Sequence, residues 1–131
     1  MMVISTLHPI KVNFLSDDSD TTLLTGDGGS FYLPKNDFGE VIGARLVDNI
    51  YVIFFDGEGY KRLNNISGFS NTGEILWTLS APQVGTGAPA PWGGLATHHI
   101  SGKLFFDNGF GWAWPLENSK TGELGTKFFI K

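Results

Sequence analysis

The fold is decided by the stretch Ile50-Tyr51-Val52-Ile53-Phe54-Phe55, an unbroken apolar run. A run of this length predicts a strand near the middle of a sheet, because central strands can be apolar throughout. Turn residues bound it on both sides: Asp48-Asn49 precedes it, and Asp56-Gly57, a strong hairpin signal, follows it. We therefore expect the chain to turn back at once, with a return segment over residues 60–63 that continues to Phe69.

Three similar turns recur along the chain: Gly39-Glu40-Val41, Gly73-Glu74-Ile75 and Gly122-Glu123-Leu124. Each follows a polar cluster and leads into an apolar or β-branched run. Glycine turns the chain at low steric cost, the acid stays in water, and the aliphatic residue begins a buried face. The repetition predicts a chain that folds by adding similar antiparallel hairpins.

Length and composition indicate one all-β domain. The 131 residues include 18 glycines and 14% aromatic residues, and glycines spread between aromatic runs are typical of many tight turns. No long segment has apolar residues at helical spacing. The predicted fold is all-β: an antiparallel meander of about nine or ten strands over residues 1–131. We expect a two-sheet sandwich or a partial-propeller-like stack, with little or no helix.

The charge and the absent residue types exclude several functions. Nine Lys and Arg against 13 Asp and Glu give a net charge of −4, so no nucleic-acid partner is predicted, since such binding needs clustered cations. Without cysteine, a disulfide, a thiolate nucleophile or a cysteine metal site is impossible. No apolar run approaches the ~20 residues of a membrane helix, and the first residues lack the basic region of a secretory signal. We expect a cytoplasmic protein with no membrane partner.

The histidines are weak candidates for chemistry. His98 and His99 are adjacent, and neighbouring side chains on a strand point to opposite faces, so they cannot both bind one metal without a bulge. Asp107 lies close enough in sequence for a His-Asp pair to do acid-base work. We expect instead a cross-hairpin polar pair, or one exposed and one packed histidine.

The acidic residues predict no metal or cofactor site. Asp17, Asp18 and Asp20 lack the glycine and the distal glutamate of an EF-hand loop, so a solvated turn is expected. Asp56 and Glu58 are two positions apart at a predicted hairpin tip. They are expected to be exposed turn acids, since glycosidases place their two carboxylates across a cleft. No catalytic residue, metal or cofactor is predicted.

The aromatic residues leave two interpretations open. Trp112 and Trp114 lie on the same side of one predicted strand, and Phe110 extends the stripe. Such a stripe is either core packing or a platform for sugar rings or a partner protein. Trp92 lies in a long loop over residues 80–94 that is rich in Pro, Ala and Gly. It is either a core residue or an exposed interface anchor.

A longer pattern resembles the repeat of pyrroloquinoline-quinone-type β-propellers. It is Asn65-Ile66-Ser67-Gly68-Phe69-Ser70-Asn71-Thr72-Gly73-Glu74-Ile75-Leu76-Trp77. In that repeat an Asn-aliphatic strand and an aromatic lead to an Asp/Asn-rich turn, Gly, an aliphatic pair and Trp. The tail from Gly102 to Lys131 is similar to a second copy without the closing Trp. A closed propeller needs at least about four blades, so the resemblance implies isolated repeats.

Short bacterial proteins with isolated repeats of this kind resemble immunity proteins of contact-dependent and other polymorphic toxin systems. The resemblance implies a non-enzymatic, cytoplasmic protein that binds a cognate toxin domain, often a basic nuclease, and covers its active site. The residues predicted to contact the toxin are Asp17, Asp18, Asp20, Asp56, Glu58 and Trp92. The alternative is a carbohydrate-binding module with Trp92, Trp112 and Trp114 as stacking platforms. The oligomeric state stays open.

Overall fold

The structure, a computed structural model, describes residues 10–16, 20–82 and 87–130. Regular structure in these ranges is almost entirely antiparallel strand, and no helix among them is long and apolar enough to cross a membrane. The strands are β1 (Ile10–Lys11), β2 (Asn13–Ser16), β3 (Thr21–Gly26), β4 (Gly29–Pro34), β5 (Val41–Val47), β6 (Ile50–Phe55), β7 (Ile66–Phe69), β8 (Ile75–Thr78), β9 (Gly94–Thr97), β10 (Leu104–Asp107), β11 (Trp112–Asn118), β12 (Glu123–Leu124) and β13 (Phe128–Phe129). One helical turn, α1 (Lys35–Phe38), connects β4 to β5.

The strands form three antiparallel sheets, which confirms the predicted all-β fold. The central sheet has the order β1-β5-β6-β7-β8. The second sheet has the order β12-β11-β10-β9, with β13 also pairing on β11, and the third is the meander β2-β3-β4. Of the strands before β5, only the short β1 joins the central sheet, whereas β2, β3 and β4 pair with one another.

Both faces of the central sheet are covered, which explains the unbroken apolar run of β6. Tyr51, Ile53 and Phe55 pack in a cluster with residues of the third sheet. Val52 and Phe54 face the other way and pack in a cluster with residues of the second sheet. Because successive side chains alternate between faces, a strand in the middle layer of three has no position left for a polar residue.

The glycines of the three repeated turns have the backbone conformation that the pattern predicts. Their φ angles are +88° at Gly39, +92° at Gly73 and +78° at Gly122, a region that favours glycine. Gly122 also lies against the indole of Trp77, where a Cβ would come within 2.7 Å of Cδ2. Trp77 Nε1 donates a hydrogen bond of 2.6 Å to the carbonyl of Ser119. The third turn thus joins the second sheet to the central one.

The tight hairpin predicted at Asp56-Gly57 is wrong. The chain instead makes a connection of ten residues, and its return strand is Ile66–Phe69 rather than residues 60–63. Arg62 holds this connection in place, because its guanidinium donates to the carbonyl of Asp37 (3.0 Å) and bonds to the Glu58 carboxylate. These tertiary contacts override the local turn preference.

One buried hydroxyl group in the core, that of Thr22, lacks a hydrogen-bond partner among the described residues. Thr22 is fully buried, and its Oγ1 has no hydrogen-bond partner in the described part of the chain. An unpaired buried polar group costs stability, and valine has the same shape without the hydroxyl. We expect Thr22→Val to raise the free energy of unfolding by about 1 kcal/mol, measured by urea denaturation. Thr78→Val is the control: Thr78 Oγ1 bonds to Ser67 Oγ at 2.9 Å, so this change should bring no gain. Equal gains from both would contradict the explanation.

Candidate functional site

The connection after β6 forms one wall of a cleft and contains a left-handed turn. Glu58, Gly59 and Tyr60 have successive φ angles of +50°, +62° and +78°. This conformation is costly for residues other than glycine and is rare for a bulky aromatic. The turn is closed by Arg62, whose N–H donates to the carbonyl of Gly57 at 3.0 Å. As a result the Tyr60 ring projects outward and is 61% exposed. Strained backbone of this kind concentrates at functional sites.

The opposite wall is the turn between β10 and β11. Oδ1 of Asn108 accepts hydrogen bonds from the N–H groups of Phe110 (2.9 Å) and Trp112 (3.1 Å). The glycines on either side of Phe110 have φ angles of +79° (Gly109) and +100° (Gly111). This geometry turns the Phe110 ring away from the core and leaves it 69% exposed.

The floor of the cleft contains Trp92, which the structure places in the core. Trp92 is only 4% exposed, so the alternative of an exposed anchor is wrong. Its ring packs edge-on against Phe106 and Trp114, with centroid distances of 6.0 and 5.4 Å. Asn65 fixes the backbone here: Oδ1 accepts from the N–H of Trp92 at 2.8 Å, and Nδ2 donates to the carbonyls of Trp92 (3.1 Å) and Phe55 (2.9 Å). These three bonds bind the loop to β6 and bury the indole.

Between these walls lies an open cleft of about 270 Å³. It is at the small end of ligand sites and fits one side chain or one sugar ring. Tyr60 and Phe110 both border it, and Pro91, Gly93 and Asn108 are among the residues between them. We call this feature the Tyr60–Phe110 cleft.

Carboxylates surround the mouth of the cleft and continue along one edge of the molecule. Asp56 and Glu58 line the cleft itself. The N–H of Asp56 donates to the carbonyl of Glu40 (2.8 Å), which brings the first repeated turn alongside. The acidic edge, as we define it, consists of Asp20, Asp37, Glu40, Asp56 and Glu58, with the cations Lys35, Lys61 and Arg62 beside them. Five acids against three cations leave this edge negative.

The structure brings together only part of the predicted contact set. Asp56, Glu58 and Trp92 meet at the cleft, although Trp92 is in its floor. Asp20 lies further along the acidic edge, where its carbonyl accepts from the N–H of Lys35 at 2.8 Å. Asp17 and Asp18 lie outside the described residues.

Sequence reasoning missed Tyr60 and Asn108, and it placed Phe110 in the stripe with Trp112 and Trp114 rather than on an exposed turn. Tyr60 follows Gly57-Glu58-Gly59, and Phe110 lies between Gly109 and Gly111. A large aromatic flanked by glycines is a signal for an exposed ring on a turn, because glycine permits the left-handed backbone that projects it.

The histidines and Asp107 do not form a catalytic pair. His98 and His99 lie in the turn after β9, and their rings stack with a centroid distance of 5.2 Å, so the expectation of opposite faces is wrong. His98 is half-buried and His99 is exposed, which confirms one packed and one exposed histidine. Asp107 pairs with Gly94, which is four residues or ~13 Å along the hairpin from His98.

The stripe of Phe110, Trp112 and Trp114 is not a common platform. Phe110 precedes β11 and is exposed, whereas Trp112 and Trp114 are half-buried. Trp114 packs on the core cluster that contains Trp92. Trp112 packs against Phe129 at 5.4 Å and carries the Lys127 ammonium 4.8 Å above its ring. Each ring has a different environment.

Searches for related proteins give no match. No protein-family model, no curated protein and no solved structure matches the chain. Among the described residues, no group of three or more His, Cys, Asp and Glu could hold a metal ion.

Proposed function

We propose that this chain is a non-enzymatic binding protein, a cytoplasmic immunity protein that neutralises a toxin domain by covering its active site. The observation that carries the proposal is the Tyr60–Phe110 cleft. There, two strongly exposed aromatic rings lie on turns that contain positive φ angles, and carboxylates lie beside them. Exposed aromatics are the residue type that supplies much of the binding energy at protein interfaces.

The acidic edge indicates the charge of the partner. With five acids and three cations along it, it attracts a basic surface and accelerates encounter with it. A basic nuclease domain has such a surface around its active site, because it binds phosphates. The resemblance of residues 65–77 to an isolated propeller repeat supports the same class of protein.

The carbohydrate-binding alternative has less support. It relied on Trp92, Trp112 and Trp114 as stacking platforms, but Trp92 is 4% exposed and Trp114 packs against it. A sugar platform needs a free ring face, and the buried Trp92 does not offer one.

The proposal predicts that a toxin gene lies beside the gene for this chain, and it is tested by co-expressing the chain with the toxin domain of that neighbour. We expect the wild-type chain to restore growth, and the double variant Tyr60→Ser/Phe110→Ser to lose protection, since both rings leave the interface. The matched control is Phe14→Ser/Tyr32→Ser, which removes a phenylalanine and a tyrosine that are 39% and 66% exposed elsewhere on the surface. Growth inhibition that the wild-type chain does not relieve would contradict the immunity role. Equal protection by both double variants would contradict the location of the interface.

A further inference from the structure

Asn108 lines the cleft and has an unpaired amide donor. The residue is 4% exposed, and its Oδ1 is occupied by two backbone N–H groups. Nδ2 makes no hydrogen bond within the described residues. Among the described residues, the only fully buried side-chain nitrogen or oxygen without a partner is Thr22 Oγ1. Nδ2 of Asn108 is unpaired as well, so it must retain some contact with solvent. Asn108 lines the cleft, so the cleft is the space from which a bound group can reach Nδ2. A nearly buried donor in this position calls for an acceptor oxygen from outside.

The mouth of the same cleft carries a carboxylate without a cation. Oδ1 of Asp56 accepts only the N–H of Glu58 at 3.0 Å, and no ion pair involves Asp56 in the described part of the chain. Glu58, by contrast, is paired with Arg62. Asp56 is therefore available to a cation that approaches from solvent.

The two exposed rings are also free of aromatic partners. Every ring pair found among the described residues leaves out Tyr60 and Phe110. Their faces can therefore receive a cation or an aliphatic stem, an interaction worth roughly 0.5–1 kcal/mol at an exposed site.

We propose that the Tyr60–Phe110 cleft receives one arginine or lysine side chain from a basic segment of the partner protein. The cationic head pairs with Asp56, the stem lies against the rings of Tyr60 and Phe110, and a main-chain carbonyl of the segment accepts from Nδ2 of Asn108. The inference rests on the proposed function, because it assumes that the partner is a protein. It adds the chemical group of that protein that the cleft recognises.

Volume and charge favour a single basic side chain over the other occupants. A cleft of about 270 Å³ is too small for a helix or a folded element. A neutral sugar could use the rings and Asn108, but it would leave Asp56 without a cation. A basic side chain satisfies all three features at once.

The inference is tested by titrating the ¹⁵N-labelled chain and following the side-chain amide resonance of Asn108. The probes are acetyl-Gly-Arg-Gly-amide, the same peptide with citrulline, which has the shape of arginine without its charge, and cellotriose. We expect the arginine peptide to shift the Asn108 amide and to bind about three- to ten-fold more tightly than the citrulline peptide. Asp56→Asn should remove this difference. Glu74→Gln, which removes an exposed acid of the β7–β8 turn, should preserve it.

Three results would overturn the inference: equal binding of both peptides, an arginine preference that survives Asp56→Asn, or a shift of Asn108 by cellotriose alone. Its failure is distinct from failure of the proposed function. Growth protection that needs Tyr60 and Phe110, together with a negative titration, would retain the immunity role and reject the basic side chain. A positive titration without protection would retain the pocket and reject the immunity role.

Discussion

Gly68→Ala is expected to lower the free energy of unfolding by about 3 kcal/mol, at the upper end of the cost of overpacking a core. A Cβ at position 68 would overlap the indole of Trp77. The ring cannot move aside, because Gly122 lies against it and its Nε1 is bonded to the carbonyl of Ser119 at 2.6 Å. The added methyl group can therefore be accommodated only if Trp77 moves and its contact with the second sheet is disrupted. Urea denaturation monitored by tryptophan fluorescence measures the loss.

Gly87→Ala provides the matched control for this methyl group. A Cβ there would meet no atom within 4 Å, and the backbone is not in the left-handed region. We expect a change within about 0.5 kcal/mol, since surface substitutions of this kind are usually neutral. Similar losses at both positions would show that the Trp77 contact does not join the sheets as described.

Tyr60→Gly is expected to stabilise the free protein while weakening its complex with the toxin domain. A tyrosine at a φ of +78° is strained by roughly 1–2 kcal/mol, which glycine relieves. Part of this gain is offset by the greater freedom of glycine in the unfolded chain, so the net gain is about 1 kcal/mol. The same change removes an exposed aromatic from one wall of the cleft, and we expect about a 30-fold weaker Kd.

Opposite signs for stability and affinity distinguish this effect from misfolding. The control is Tyr32→Gly, on strand β4, where tyrosine is 66% exposed and has no positive φ. Glycine in a strand is unfavourable, so this variant should lose stability and keep its affinity. Loss of stability in Tyr60→Gly, or unchanged affinity, would mean that the strained turn does not serve binding.

Local signals predicted the framework of the fold. Strands β5 and β6 occur where the apolar pattern places them, and Gly39, Gly73 and Gly122 all have positive φ. These features depend on neighbours within a few residues, so the sequence contains the information directly.

The cleft could not be predicted in the same way, because its parts come from distant segments. Trp92 is buried through Asn65, 27 residues away, and the turn at Tyr60 is held by Arg62 contacts with Asn36 and Asp37, 26 and 25 residues away. The Asp-Gly hairpin signal was overridden by these contacts. Phe110 was assigned to a strand because its spacing from Trp112 matched the alternation of a strand. In the structure the strand begins only at Trp112, after the glycines that flank Phe110.

The most direct test is isothermal titration calorimetry of the chain with the toxin domain that the proposal predicts to be encoded beside its gene, at two salt concentrations. We predict a one-to-one complex that weakens as salt rises, because the acidic edge contributes to the attraction. Tyr60→Ser/Phe110→Ser should abolish the complex, and Phe14→Ser/Tyr32→Ser should leave its Kd unchanged. Absence of binding by the wild-type chain, or undiminished binding by the cleft variant, would contradict the proposed role of the Tyr60–Phe110 cleft.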